Sequence, residues 1–485
     1  MFETMRRGGW TNIVPEPYPE PPDSLEGVQE IVSSMRGFQK LGLTRDPFFR
    51  MRMLRRLRAY LKQHEDEALD ALQADLGKAP FEGWYATELG QVYDEIHTLF
   101  TRLAYWSQPR LRHTPISLFP GYSVLYPEPL GVVLVMSPWN YPLQLALIPL
   151  VDAVGAGNCV ALKPSRKSPH TSAFIAKLCR EVFDPHHVYC FPGSDEMNGW
   201  LLETPFDKLF FTGSKRVGRK VMAAAAEQLC DVTLELGGKN PCIVDRVADL
   251  ERAAQRIAWG KCLNAGQTCV APDYLLVHED VVIDLLAYLE YHLHRLYGKD
   301  ILESPDYPRI VDRAHFDRIC RLIDEPGPTA QVIFGGGRDA EALKVEPTVL
   351  FDVRLDDPVM QDEVFGPVLP VITFRTLAEA IEVAGGFDKP LACYVFSQDP
   401  TVQRRVVQEL DFGGGCINDT IVHVANNELP FGGIGPSGLG AYHGKAGFEC
   451  FTHYKPVIKR STLVEVPLRR APYAGKLPLL RLLLR

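Results

Sequence analysis

The period of the apolar positions changes along this chain, and the change divides it. The first 24 residues are proline-rich with little periodicity, which predicts an extended arm draped over the surface or partly disordered. Asp46-Pro47 then marks a helix start. Met51, Leu54, Leu57 and Leu61 follow at helical spacing, and Gly77 is a stop, so one long amphipathic helix with arginines on a solvated face is predicted. From Leu130 the pattern turns to short continuous apolar runs. Gly131–Met136 predicts a buried strand, about Tyr141 to Val154 a helix, and Cys159–Leu162 the next strand, ending at Lys163-Pro164-Ser165. Strand, helix and strand within about 35 residues make one βαβ unit and imply a parallel sheet.

The unit recurs. Lys208–Phe211 predicts a strand, Thr212-Gly213-Ser214 a turn with an N-cap serine, Val217–Leu229 a helix with Val217, Val221, Ala224, Ala225 and Leu229 on one face, and Val232–Leu236 a further strand. A doubly wound sheet therefore covers at least residues 130–236. A second α/β region follows, with a helix over Asp249–Cys262 and strands at Tyr274–Val277 and Val368–Phe374. No period of 20 to 50 residues repeats, which excludes solenoids and propellers.

Composition narrows the function classes. A length of 485 residues allows two or three domains, and 46% hydrophobic with 23% charged residues is that of a folded globular chain. A net charge of -8 offers no electrostatic footprint for nucleic acid. The eleven cysteines are odd in number, with no CxxC pair and no secretory leader, and predict reduced thiols in a cytoplasmic compartment. Apolar stretches fall short of the roughly 20 residues of a membrane-spanning helix. The end, from Lys459 to Arg485, is basic and closes on Leu477-Pro-Leu-Leu-Arg-Leu-Leu-Leu-Arg485. It suits a packing or dimer contact, a cover over a hydrophobic pocket, or a peripheral membrane contact.

Metal chemistry finds no support: His186-His187 is adjacent, and no HExxH is present. A GxSxG elbow and a GxxxxGK[ST] loop are also absent. Cys269 lies in a glycine-containing loop after a helix, Asn264-Ala-Gly-Gln-Thr-Cys-Val270, where a thiol can be exposed as a nucleophile or simply packed. Glu235 ends an otherwise apolar strand, as a general base of raised pKa or as a solvated edge residue. Asn140 follows the first strand, where its amide either stabilises an oxyanion or forms a turn. Gly213-Ser214-Lys-Arg-Val-Gly218 puts a helix N-terminus after a strand, a ready anion site that lacks the full GxGxxG fingerprint.

Taken together, Pro138-Trp-Asn-Tyr-Pro142, Lys163-Pro-Ser165, Phe211-Thr-Gly-Ser214, Leu234-Glu-Leu-Gly-Gly-Lys-Asn-Pro241, Gly266-Gln-Thr-Cys269, Glu363-Val-Phe-Gly-Pro367 and Pro430-Phe-Gly-Gly433 resemble the aldehyde dehydrogenase superfamily. The segments occur in the family's order across roughly residues 130–440. Gly266-Gln-Thr-Cys-Val-Ala-Pro-Asp-Tyr274 and Asn418-Asp-Thr-Ile-Val-His423 are similar to the class 3 branch, which includes fatty and aromatic aldehyde dehydrogenases.

The resemblance implies NAD(P)-dependent oxidation of a hydrophobic aldehyde, long-chain aliphatic, aromatic or apocarotenoid-like, to its acid. Cys269 would attack the carbonyl, the Asn140 amide and the Cys269 N–H would hold the oxyanion, and Glu235 would activate water to hydrolyse the thioester. Glu363 would bind the nicotinamide ribose, Lys163 the adenine ribose and Ser214 with its helix N-terminus the pyrophosphate, with Ser165 and Gly213 also on the cofactor side and Trp139 and Phe365 as pocket walls. Tyr85, Asn418 and Phe431 would line the substrate side. Arg166 stands where many relatives carry glutamate, so NADP is expected to be accepted as well as NAD, through a guanidinium–phosphate pair.

The implied fold is α/β: a Rossmann-like parallel-sheet cofactor domain (1–108 and 130–234), an α/β catalytic domain (235–440), and a small β bridging segment with the tail (109–129 and 441–485). A homodimer is expected. The alternatives are a CoA-acylating enzyme and a non-catalytic binding protein on the same fold.

Overall fold

Two parallel-rich sheets and one antiparallel ribbon organise the computed structural model, which describes residues 18–463 and 470–483. The first sheet has the order Gly438–Leu439, Asp231–Glu235, Lys208–Thr212, Val132–Met136, Cys159–Lys163, Val188–Cys190. All neighbours are parallel except the two-residue strand Gly438–Leu439, which runs antiparallel to Asp231–Glu235. The four predicted strands of residues 130–236 are all present, each within a residue or two of its expected bounds. Three of them are buried throughout, which explains their continuous apolar runs.

The helix Gln144–Ala156 is buried along its whole length. Its sequence is apolar on every side because it is packed on every side, against the sheet and the helices Pro47–Gln63, Leu89–Trp106 and Gly444–Cys450. The second sheet has the order Gln331–Phe334, Thr348–Phe351, Val368–Phe374, Tyr274–His278, Pro241–Val244, Ala392–Phe396, Gly414–Ile417, parallel apart from the antiparallel Gln331–Phe334 edge. Arg110–Arg112, Gly121–Pro129 and Thr452–Arg460 form the antiparallel three-stranded ribbon. Among the described residues no helix is long and apolar enough to cross a membrane, and all eleven cysteines are free thiols.

Two expectations for the N-terminal part are corrected. The single helix after Asp46 is two, Pro47–Gln63 and Glu65–Leu76, broken at His64. Glu65, Asp66 and Glu67 there form the acidic first turn of a new helix. The arginine face is not wholly solvated: Arg50 is buried and donates to the carbonyls of Thr44 (2.6 Å) and Gly155 (3.2 Å). Within the proline-rich opening, residues before Tyr18 lie outside the described ones, but Tyr18 is fastened. Its ring stacks on Tyr189 at 4.8 Å and its hydroxyl accepts the Cys190 N–H at 2.6 Å. A helix not anticipated from the sequence, Leu25–Lys40, follows, capped by the Ser24 hydroxyl and burying Val28, Val32, Met35 and Phe38.

Candidate active site

The carboxyl ends of four parallel strands of the first sheet carry the candidate residues to one edge. Ser137-Pro-Trp139-Asn140 follows Val132–Met136; Lys163 ends one flanking strand, and Gly213-Ser214 follows the other, which ends at Thr212. Glu235 ends the next. The strand ends are stitched together by Ser137 N–H donating to the Lys163 carbonyl (3.1 Å) and Gly213 N–H to the Glu235 carbonyl (2.9 Å). Parallel sheets place ligands at this end.

Cys269 comes from the second unit. The helix Leu250–Cys262 ends in a kink where Asn264, Ala265 and Gly266 are all left-handed (φ 51°, 51° and 74°). A Cβ on Gly266 would stand 2.3 Å from the Gly366 carbonyl oxygen, so only glycine lets this loop lie against the Glu363–Pro367 segment. Asn240 holds the far side, its Nδ2 donating to the carbonyls of Cys269 (2.8 Å) and Ala271 (3.0 Å). Lys239 is bound to Asp273 (2.6 Å), whose other oxygen accepts the Val364 N–H (2.9 Å) next to Glu363. Within Leu236-Gly-Gly-Lys-Asn-Pro241, lysine and asparagine are thus scaffold for two functional loops.

Asn140 is buried, and its side-chain Nδ2 donates to the Gln267 carbonyl at 3.0 Å, two residues before the thiol. The neighbouring Tyr141 hydroxyl is hydrogen-bonded to Thr268 Oγ1. An amide nitrogen carries two hydrogens, so one remains for an oxyanion. The Cys269 thiol is half-buried. Burial, then the nearby carboxyls of Glu363 and Glu235, push its pKa up. Glu235 is buried, neither carboxyl oxygen has a hydrogen-bond partner among the described residues, and burial holds its pKa well above the carboxylate range. It is not a solvated edge residue, because Gly438–Leu439 covers that edge of the sheet.

The remaining candidates fit a dinucleotide. Ser214 occupies the N-cap position of Lys215–Gln228, yet its hydroxyl makes no capping bond, leaving it to a ligand. A Cβ on Gly218 would meet Leu236 Cδ2 at 2.7 Å, the close helix–strand packing such turns require. Glu363 is pushed up to about 8 by burial and by Asp273, and its Oε1 has no partner among the described residues. That oxygen is an acceptor waiting for hydroxyl donors. Trp139 and Phe365 meet edge to face at 5.5 Å, with His315 on the other side of Trp139 at 5.2 Å. Lys163 is buried and lowered to about 8 by desolvation. The Ser165 hydroxyl accepts the Lys167 N–H (3.3 Å), and Arg166 is exposed, paired with Asp195 at 2.9 Å.

The substrate-side candidates separate. Phe431 is buried among Tyr442, His443 and His423, two histidines that burial lowers to about 4 and so keeps neutral. Tyr85 is exposed beside Phe81, on the wide helical turn Glu82–Thr87. Asn418 bonds the Ser397 backbone through both ends of its amide (2.9 and 3.1 Å), a structural use. Sequence reasoning missed Lys78, Glu82 and Glu88, which lie buried behind Asn140. Charges at that spacing carry the same pattern as a solvated helix face, so the sequence held no signal for them.

The model of the aldehyde dehydrogenase family matches residues 25–457. The 4,4'-diaponeurosporen-aldehyde dehydrogenase of Staphylococcus aureus is 45% identical over 433 residues, 89% of this chain and 94% of that protein. The dimeric, NADP-preferring aldehyde dehydrogenase of Rattus norvegicus is 40% identical over 94% of this chain and 100% of its own. Among solved structures, a substrate-bound S. aureus AldH superposes with a TM-score of 0.92 at 42% identity, covering 94% of this chain and 99% of that one.

Proposed function

The chain belongs to the aldehyde dehydrogenase family, and from that premise we propose how its own residues oxidise a hydrophobic aldehyde to the acid with NAD or NADP. Cys269 is the nucleophile, Asn140 with the Cys269 N–H the oxyanion donor, and Glu235 the base. The observation that carries this reading is the bond from the Asn140 amide to the Gln267 carbonyl, beside a thiol whose ionisation the unpartnered Glu235 carboxyl influences.

The thiolate of Cys269 adds to the aldehyde carbon, and the carbonyl oxygen becomes an oxyanion in reach of the free Asn140 N–H. When bound, the oxidised dinucleotide supplies the hydride acceptor. The acyl group left on Sγ is a thioester. Glu235, having no other partner, takes a proton from the water that opens it. A CoA-acylating enzyme needs no such base, so the buried, unengaged Glu235 favours hydrolysis. Glu363 is placed for ribose hydroxyls, Ser214 for the pyrophosphate, and Trp139 with Phe365 for the walls.

A hydrophobic substrate is supported by Phe81, Trp84 and Tyr85, which are all partly or largely exposed. Trp84 and Tyr85 belong to, and Phe81 immediately precedes, the turn whose Glu82 accepts the Asn264 N–H (3.0 Å), five residues from the thiol. The S. aureus relative is named for an apocarotenoid aldehyde and the rat relative for its dimeric state. A homodimer is supported here by Leu111, Tyr122 and Ile458, exposed on the three-stranded ribbon. Free cysteines support a cytoplasmic compartment. For the tail, whose described end is the short helix Leu477–Leu483, we propose a cover over the substrate entrance. Truncation after Pro472 then changes chain-length preference, and an unchanged aldehyde profile refutes it.

The test of the whole reading is rapid mixing with aldehyde and dinucleotide. Wild type gives a burst of reduced dinucleotide stoichiometric with active sites, and Cys269→Ala gives none. Undiminished turnover by Cys269→Ala refutes the assignment.

A further inference from the structure

Behind Asn140, three charged side chains are removed from water. Lys78 is 1% exposed, Glu88 0% and Glu82 9%. The Lys78 ammonium donates to Glu88 Oε1 (2.6 Å) and to the Asn140 backbone carbonyl (2.9 Å), and lies 4.2 Å from the centre of the Tyr141 ring. The second oxygen of Glu88 accepts the backbone N–H groups of Leu143 (3.1 Å) and Gln144 (2.8 Å). One ion pair thus grips the chain at Asn140 and again three and four residues later. The Asn140 carbonyl takes a second bond from Asn264 Nδ2 (2.8 Å), which also reaches the Gln267 carbonyl (3.1 Å). Glu82 Oε1 accepts the Asn264 N–H at 3.0 Å.

The connections close a loop. From Lys78 the bonds run through the Asn140 carbonyl to Asn264 and Glu82, and from Asn264 through the Gln267 carbonyl back to the Asn140 side chain. A buried ion pair is a poor source of stability, because desolvation offsets its Coulomb attraction, and an apolar pair of equal volume would hold a core as well. What an apolar pair could not do is fix a carbonyl's direction. Apart from the Lys78–Glu88 pair and the Glu88 bonds to Leu143 and Gln144, the bonds in this set end on Asn140 or on the loop that carries Cys269.

We propose that Lys78, with Glu88 and Glu82, is a positioning set that aims the Asn140 amide at the oxyanion: Lys78 and Asn264 fix the Asn140 backbone, Glu82 fixes Asn264, and the free amide hydrogen is thereby pointed at the oxygen that becomes negative when Cys269 attacks its carbon. None of the three touches the substrate. The inference rests on the assignment of Cys269 and Asn140 above and says what holds them in register.

Two reactions of the same thiol, both without dinucleotide, separate aiming from folding. Acylation by 4-nitrophenyl acetate develops an oxyanion; alkylation by iodoacetamide does not. In the double variant Lys78→Met/Glu88→Gln, which removes both members of the ion pair together and leaves Glu82 its bond from the Asn264 N–H, acylation falls about 10- to 100-fold, while alkylation and the dinucleotide Kd stay within about twofold. Should that variant not fold, Lys78→Arg is measured in the same way. It keeps the ion pair but misplaces the donor to Asn140, and a selective loss of acylation is again expected. Unchanged acylation overturns the proposal, as does a parallel fall of acylation and alkylation. A wild-type protein that gives no acylation burst overturns the Cys269 assignment as well, so the two failures are distinct.

Discussion

The Glu363 carboxyl lies against the Cα of Gly237, so closely that a Cβ there would stand 2.1 Å from Oε2 and 2.5 Å from Oε1. The first glycine after Glu235 therefore makes room for a cofactor-side carboxylate rather than for a turn, and its φ lies outside the left-handed region. Gly237→Ala displaces Glu363 without disturbing the thiol. We expect the dinucleotide Kd to rise about tenfold, in line with the 1–3 kcal/mol cost of overpacking, while iodoacetamide alkylation of Cys269 keeps its rate. Calorimetric titration reads the first, and an unchanged Kd refutes the placement of Glu363.

Glu235 and Cys269 are both held toward their protonated forms by burial. Each must lose a proton to act, so the population of the competent state, and with it kcat, grows as pH rises from 6 to 9. Glu235→Gln cannot accept a proton. It is expected to keep the first-turnover burst and lose about 10²- to 10⁴-fold in steady-state turnover, with acyl-enzyme visible by mass spectrometry. Loss of the burst together with turnover would mean that Glu235 serves the thiol instead of the water.

Arg166 and Asp195 form an exposed pair, 58% and 66% accessible. Such pairs contribute little, so a dianionic phosphate can take the guanidinium from Asp195. Arg166→Ala should lower kcat/KM for NADP about tenfold and leave NAD within about twofold. Asp195→Asn, which frees the arginine, should shift the ratio toward NADP. Equal effects on both dinucleotides would place Arg166 outside the 2'-phosphate site.

Three of the parallel strands of residues 130–236 were legible because their burial on both faces writes continuous apolar runs, and with Asp231–Glu235 their ends delivered Asn140, Lys163, Ser214 and Glu235 to one edge. The Ser24-capped helix was not anticipated although Val28, Val32, Met35 and Phe38 recur at helical spacing, because the prolines just before it draw the reading toward an extended arm. Arg50 and Lys78 were not legible. Each is a cation whose partners are backbone carbonyls or a distant acid, and neither kind of partner leaves a mark in local pattern. The edge strand beside Glu235 was hidden for a related reason: Gly438–Leu439 returns to pair with Asp231–Glu235 across some two hundred residues, and two residues carry no period.

Asp152 and Glu95 supply the last prediction. Both are buried, on adjoining helices, and Glu95 Oε1 accepts the Gly444 N–H at 2.8 Å. Asp152 abuts Gly447, where a Cβ would stand 2.1 Å from its Oδ2. Two carboxyls this close in a dry core cannot both ionise. Burial, and for Asp152 also the Glu95 charge, hold their pKa values above the ordinary ones of 3.8 and 4.5. The sign follows: above about pH 4.5 the unfolded chain has released protons that the folded chain still holds, so folding takes up protons and stability declines as pH rises. Asp152→Asn keeps the volume, offers Glu95 a donor and removes one titration. Its Tm should fall less steeply between pH 5 and 8 than that of the wild type, leaving it about 1–3 kcal/mol more stable at pH 8. Parallel Tm curves for the two proteins across that range would show that the pair does not hold its proton.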